Sequence, residues 1–137
     1  MPPDSLSVVR FRIDPEARLA LVHFEGTVTG SDMLDAARAL HSDPAWSDGF
    51  DVIWDCSRVV RHAVGPEDVA PLIVEEVPTG SGMDALVQNM KPSDSLISNM
   101  IASFLRLRGK PAAVFSSVEE ALEAVGCAAL PTTLQGV

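Results

Sequence analysis

Arg18-Leu19-Ala20-Leu21-Val22-His23-Phe24-Glu25 is the stretch whose reading decides the fold. Taken alternately, its two faces are Leu19/Leu21/His23 and Ala20/Val22/Phe24, and both are largely apolar. A run apolar on both faces predicts an interior strand covered on both sides, as sheet strands are in α/β proteins. Just upstream, over residues 8–14, Val9, Phe11 and Ile13 alternate with Arg10 and Arg12, the period-2 pattern of a strand with one buried face. Asp14-Pro15-Glu16-Ala17 between them reads as a tight turn, because Pro presets a turn dihedral and Asp can bond its own backbone. The two strands are therefore expected to pair antiparallel, the second more central than the first.

Downstream, Thr29-Gly30-Ser31-Asp32 resembles a capping box ahead of Met33, Leu34, Ala37 and Leu40, predicting a helix over about 30–41. A polar connector, 43–49, leads to Asp51-Val52-Ile53-Trp54-Asp55, a short apolar strand expected to end at Asp55. Pro66 with Glu67 and Asp68 opens a second helix, frayed or kinked at Pro71. Residues 77–82 read as a flexible loop and 84–89 as a strand. Leu96, Ile97, Met100, Ile101, Phe104 and Leu105 then form one apolar helical stripe that ends at Gly109. A strand over 111–116 and a helix opened by the capping box Ser117-Val118-Glu119-Glu120 complete the order. The order β-β-α-β-α-β-α-β-α predicts an α/β fold: a five-stranded, mostly parallel mixed sheet with one antiparallel edge strand and about four helices.

At 137 residues and 14.6 kDa the chain fits one domain over 1–137, with a core of about 8–126. The tail, 127–137, has little periodicity and is expected to be loosely attached or to pack against a partner. The composition is 47% hydrophobic, 21% charged and only 5% aromatic, enough for an aliphatic core and unlike a disordered chain. A formal charge of −9 argues against nucleic acid and anionic membrane as partners. The N-terminus has no basic cluster followed by an apolar stretch, and no apolar run reaches the roughly 18 residues of a membrane span. A soluble, cytoplasmic protein is expected, with Cys56 and Cys127 as reduced thiols. His23, His41 and His62 show no ligand spacing, so neither a metal nor a cofactor is expected.

The run Val52-Ile53-Trp54-Asp55-Cys56-Ser57-Arg58-Val59, followed by Gly65-Pro66-Glu67-Asp68-Val69 at a helix start, resembles the STAS family, the anti-sigma-factor antagonists and their relatives. Arg12-Ile13-Asp14-Pro15-Glu16, Gly26-x-Val28-Thr29, Asp43-Pro44 and the run from Val114 to Ala121 are similar to an uncharacterised bacterial branch of that family. The resemblance covers about residues 8–126 and agrees in element order. It implies a protein–protein regulatory domain whose partner meets the region after the third strand. The family's phospho-switch serine, counted without gaps from Asp55, falls on Gly65, which has no hydroxyl. Glu67 and Asp68 either replace that reversible charge by a permanent one or simply cap the helix and offset its dipole.

On this reading the protein is non-catalytic and acts as a homodimer or as a partner of another protein. Its contact surface is the irregular loop expected after Asp55, carrying Ser57, Arg58, Arg61, His62, Gly65, Glu67 and Asp68. The alternative is a carrier or sensor of a small apolar ligand, with Leu72, Ile73, Met100 and Phe104 lining its pocket or serving as ordinary core. A third reading, a small enzyme, would use Asp55, Cys56 or His62, since a thiolate needs a nearby imidazole or cation. A buried structural thiol is the plainer account of Cys56. His23 reads as a hydrogen-bonded structural imidazole, or as a group titrating or binding a ligand near neutrality. Thr79-Gly80-Ser81-Gly82 leads into a strand, not a helix, and lacks the Lys-Ser/Thr of a phosphate loop, so it reads as a linker. His41, Asp43, Asp48 and Asp51 read as a solvated connector. Trp54 is expected in the core and Trp46 in a loop, where Trp can mark an interface.

Overall fold

Arg10 and Arg12 alternate with apolar neighbours because β1 (Ser7–Asp14) has one face on the core. Val9, Phe11 and Ile13 pack inward, and Asp14 closes the hairpin by accepting the N–H groups of Glu16 and Ala17 at 3.1 and 3.2 Å. Arg18, at φ 54°, turns the chain into β2 (Leu19–Thr29), which pairs with β1 antiparallel. This computed structural model describes residues 7–63, 80–88, 92–125 and 135–136.

Thr29 caps α1 (Gly30–Ser42) as the sequence predicts. Its hydroxyl accepts from the Asp32 N–H at 3.1 Å, and the Asp32 carboxylate accepts from the Thr29 N–H at 2.9 Å. β3 (Asp51–Ala63) and β4 (Asp84–Val87) follow, then α2 (Pro92–Leu107), β5 (Ala112–Phe115), α3 (Val118–Val125) and the two-residue β6 (Gln135–Gly136). Gly109, at φ 82°, ends α2: its N–H bonds Arg106 and the Lys110 N–H reaches back to Leu105, the paired bonds of a left-handed helix stop. Ser117 caps α3 through the Glu120 N–H, but the Glu120 carboxylate is bonded by Ser116 instead, so the box is made on one side only.

The sheet order is β5-β4-β3-β2-β1-β6, with β2 to β5 parallel and β1 antiparallel to both its neighbours. One face carries Phe11, Val22, Phe24, Val52, Cys56 and Val59 under α1. That layer continues, through Trp54 and Met33, into Leu86, Ile101, Leu105 and Ala112 under α2. The other face carries Leu19, Leu21, Ile53, Ala85 and Val87 under Ala121 and Leu122 of α3. The strand read as interior is thus covered on both sides.

Three expectations are corrected. β1 is not the edge of the sheet, because Gln135 and Gly136 of the tail, expected to be loose, pair with Phe11 and Arg10. The third strand does not end at Asp55; it runs on to Ala63 beside an equally extended β2, with Cys56 and Val59 still facing the core. The loop read as flexible is tightly packed over 80–82. A Cβ on Gly82 would collide with the Phe50 carbonyl, and one on Gly80 with the Asp48 carbonyl and the Trp46 ring. Three helices lie among the described residues, and the helix expected to open at Gly65 lies outside them.

The amino ends of the parallel strands are tied by a buried ion pair. Lys110 Nζ lies 2.9 Å from Asp84 Oδ2 and donates to the Gly80 carbonyl at 2.5 Å, while Asp84 Oδ1 accepts from Trp54 Nε1 at 2.9 Å. The Lys110 and Asp84 side chains are only 9% and 6% exposed, so each charge depends on the other for its burial. Lys110→Met is expected to cost about 3–5 kcal/mol in urea unfolding, because it leaves a buried carboxylate without its cation. The double variant Lys110→Met/Asp84→Asn should recover part of that loss, and additive losses would show that the pair is not coupled.

Candidate functional site

Parallel register sets His23 of β2 beside Asp55 of β3. Both share the α3-side face with Leu19, Leu21 and Ile53. Past this level the ladder slips twice, between His23 and Glu25 and between Gly26 and Thr27. Gly26, at φ 81°, supplies the backbone turn that the second slip needs. The result gathers side chains from two strands into one chain of contacts.

His23 Nδ1 lies 3.0 Å from Asp55 Oδ2, and its Nε2 lies 3.7 Å from Glu25 Oε2. Glu25 Oε1 in turn lies 3.9 Å from Arg58 Nη1. Asp55 Oδ1 accepts from both the Ser57 N–H, at 3.0 Å, and the Ser57 hydroxyl, at 2.6 Å. Burial grades along this chain. Side-chain exposure is 11% at Asp55, 13% at His23, 31% at Glu25 and 73% at Arg58. The structure therefore brings together an imidazole held between two carboxylates, ending in an outward guanidinium.

This arrangement orients a base without supplying a nucleophile. An imidazole whose Nδ1 is held by a carboxylate is the first half of a hydrolytic triad, but its Nε2 here faces Glu25. The Ser57 hydroxyl is donated to the far oxygen of Asp55, and Cys56 is turned to the α1 face, where it is buried. Asp55 and Cys56 thus point to opposite faces and do not form a joint site. Cys56 is the buried thiol, and His23 the hydrogen-bonded imidazole, that the plainer readings describe. Among the described residues no three His, Cys, Asp or Glu side chains gather to hold a metal. No helix among them is long and apolar enough to cross a membrane.

Ser57, Arg58, Arg61 and His62 do not lie on an irregular loop; they are carried by β3, with Arg58 and Arg61 exposed. His62 pairs with Val28 in the ladder. Beside them Val60 is 62% exposed, an outward apolar residue that the sequence reading did not single out. Glu25 was also missed, because its role depends on a register that no local pattern displays. Gly65, Glu67 and Asp68 lie outside the described residues, as do Leu72 and Ile73. Met100 and Phe104 pack against the cluster of Leu86, Ile101 and Leu105.

A second polar group sits at the opposite end of the strands. The His41 ring lies 4.6 Å from Trp46, Trp46 lies edge-on to Phe50 at 5.7 Å, and the Arg18 guanidinium covers Phe50 at 5.7 Å. Trp46 is therefore engaged within the chain. Two acids of this region are likewise engaged: Asp43 accepts from the Ala45 N–H at 2.9 Å and Asp51 from the distant Met83 N–H at 2.8 Å.

Compared with family models, curated proteins and solved structures, the chain finds no match. The reading of the site rests on its own geometry.

Burial, reinforced by the positive charge of Lys110, holds the His41 imidazole below its ordinary value of 6.5, against the opposing pull of Asp84 and Asp48. Below 6.5 the unfolded chain accepts a proton that the folded chain resists. Stability is therefore lost as pH falls from that value toward the depressed folded one, and then levels off for this residue. His41→Gln should flatten this limb of a urea-midpoint series against pH, and an unchanged slope would assign the acid sensitivity elsewhere.

Proposed function

We propose that the chain is a non-catalytic, STAS-like regulatory domain that works by binding another protein through the second half of β3. The observation that carries this reading is the overhang itself. β4 pairs with β3 only as far as Asp55, and beyond that level β3 presents Arg58, Val60 and Arg61 outward in one short strip. Exposed apolar surface flanked by arginines is the composition that protein contacts favour. Behind the strip, Asp55, His23 and Glu25 are bonded to one another or to β3 and brace the surface, with Glu25 at 3.9 Å holding the Arg58 guanidinium at its exposed rim.

Two further observations weigh against the other readings. Among the described residues no nucleophile is aimed at His23, and of the residues in the apolar-carrier reading Met100 and Phe104 pack against the core cluster under α2, while Leu72 and Ile73 lie outside the described residues. Gly65 at the family's serine position supports a partner contact that phosphorylation there does not switch. The partner is another protein or a second copy, and cytoplasmic location is part of the proposal.

Native mass spectrometry of protein purified gently from its host distinguishes these outcomes. The wild type should carry a protein mass of defined stoichiometry. Arg58→Glu/Arg61→Glu should lose most of that species while staying folded, and Glu119→Lys/Glu123→Lys on the exposed side of α3 should keep it. A retained small-molecule mass, or a partner equally held by the β3 variant, would overturn the assignment.

A further inference from the structure

Arg10 and Arg12 project from the same sheet face as His23, at positions opposite His23 and Leu21 in the β1–β2 register. On one strand face they stand about 7 Å apart along the chain, a span that two guanidinium groups can close around one small anion. Four carboxylates share that side of β1 to β3, and each is already engaged. Asp14 holds the hairpin turn, Glu25 faces His23 and Arg58, Asp51 accepts from the Met83 N–H, and Asp55 holds His23 and Ser57. No described carboxylate lies within ion-pair distance of Arg10 or Arg12.

Arg12 carries a further sign. Its Nε is shielded from solvent and has no acceptor, although a buried charged donor is costly when left unbonded. Arg10, by contrast, is exposed. One guanidinium thus stands at the surface and the next reaches inward with an unspent donor, in a chain of net charge −9 that could readily have supplied an acid there. We infer that Arg10 and Arg12 form a receptor for a small oxyanion, a phosphate or carboxylate group of a soluble ligand. The planar forks of two arginines match either group in a bidentate manner. Binding here is independent of the β3 contact surface, because β1 and the outward strip of β3 are separated by β2.

The test is an amide-shift titration near neutral pH with inorganic phosphate, acetate and chloride at matched ionic strength. Saturable shifts at β1 are expected with one or both oxyanions and not with chloride. Arg12→Gln and Arg10→Gln should each weaken binding by about tenfold or more, the scale of losing one charge-assisted contact. Arg12→Lys, which keeps the charge but not the fork, should fall between, and Arg38→Gln on α1 should match the wild type. Tighter phosphate assigns a phosphorylated ligand, and tighter acetate a carboxylate one. The inference is overturned if chloride reproduces the shifts, if no oxyanion saturates, or if Arg10→Gln binds as the wild type does. Arg10 is exposed, so that variant remains readable even if Arg12→Gln fails to fold.

Discussion

The parallel ladder between β2 and β3 sets the position of almost everything else in this chain. Over Leu19–Thr29 and Asp51–Ala63 it is by far the longer of the parallel pairings, since β4 contributes only four residues to the other side of β3. Two consequences follow from that difference in length. Level with the end of β4, the ladder brings His23 and Asp55 side by side although 32 residues separate them in the chain. Beyond it, β3 continues with a strand on one side only among the described residues, and its charged side chains turn outward. The two bulges between His23 and Thr27 belong to the same constraint, because the polar chain from Asp55 to Arg58 forms where the register slips.

How much of this could be read in advance follows from which interactions are local. The Asp14 turn, the Thr29/Asp32 box and the glycine stop after α2 are each made within five residues of chain, and each was legible as a pattern. The end of β3 was misread for a related reason. Asp55, Ser57 and Arg58 break the apolar run, and a polar break resembles a strand end. In the folded chain they belong to one continuous strand, with Asp55 itself buried, Arg58 exposed, and Cys56 and Val59 inside. Gly80 and Gly82 were misread because composition cannot separate a glycine used for mobility from one used for close approach. Here the backbone of 48–50 occupies the space a side chain would need. Glu25, Val60 and the β6 pairing needed a register between distant strands, which no window of sequence contains.

The two ends of the parallel strands use polar side chains in opposite ways. At the amino ends, Lys110, Asp84, Trp54 and the Gly80 carbonyl satisfy one another in a buried knot, and burial together with the Lys110 charge lowers the pKa of His41. A buried pair of this kind adds little net stability over an apolar core, but it penalises any arrangement that separates its members. It therefore fixes how β3, β4 and the approach to β5 meet. At the carboxyl ends the polar groups are graded from buried to exposed, which is the end where open α/β sheets receive ligands. The antiparallel course of β1 matters for the same reason. It runs from Gly26 back toward Leu19 along β2, so its first half, with Arg10, arrives at the carboxyl end of its neighbours. The hairpin register places Arg10 in the row of His23 and Asp55, with Arg12 one step behind it opposite Leu21, where the carboxylates are already spent and the guanidinium charge remains available for a ligand.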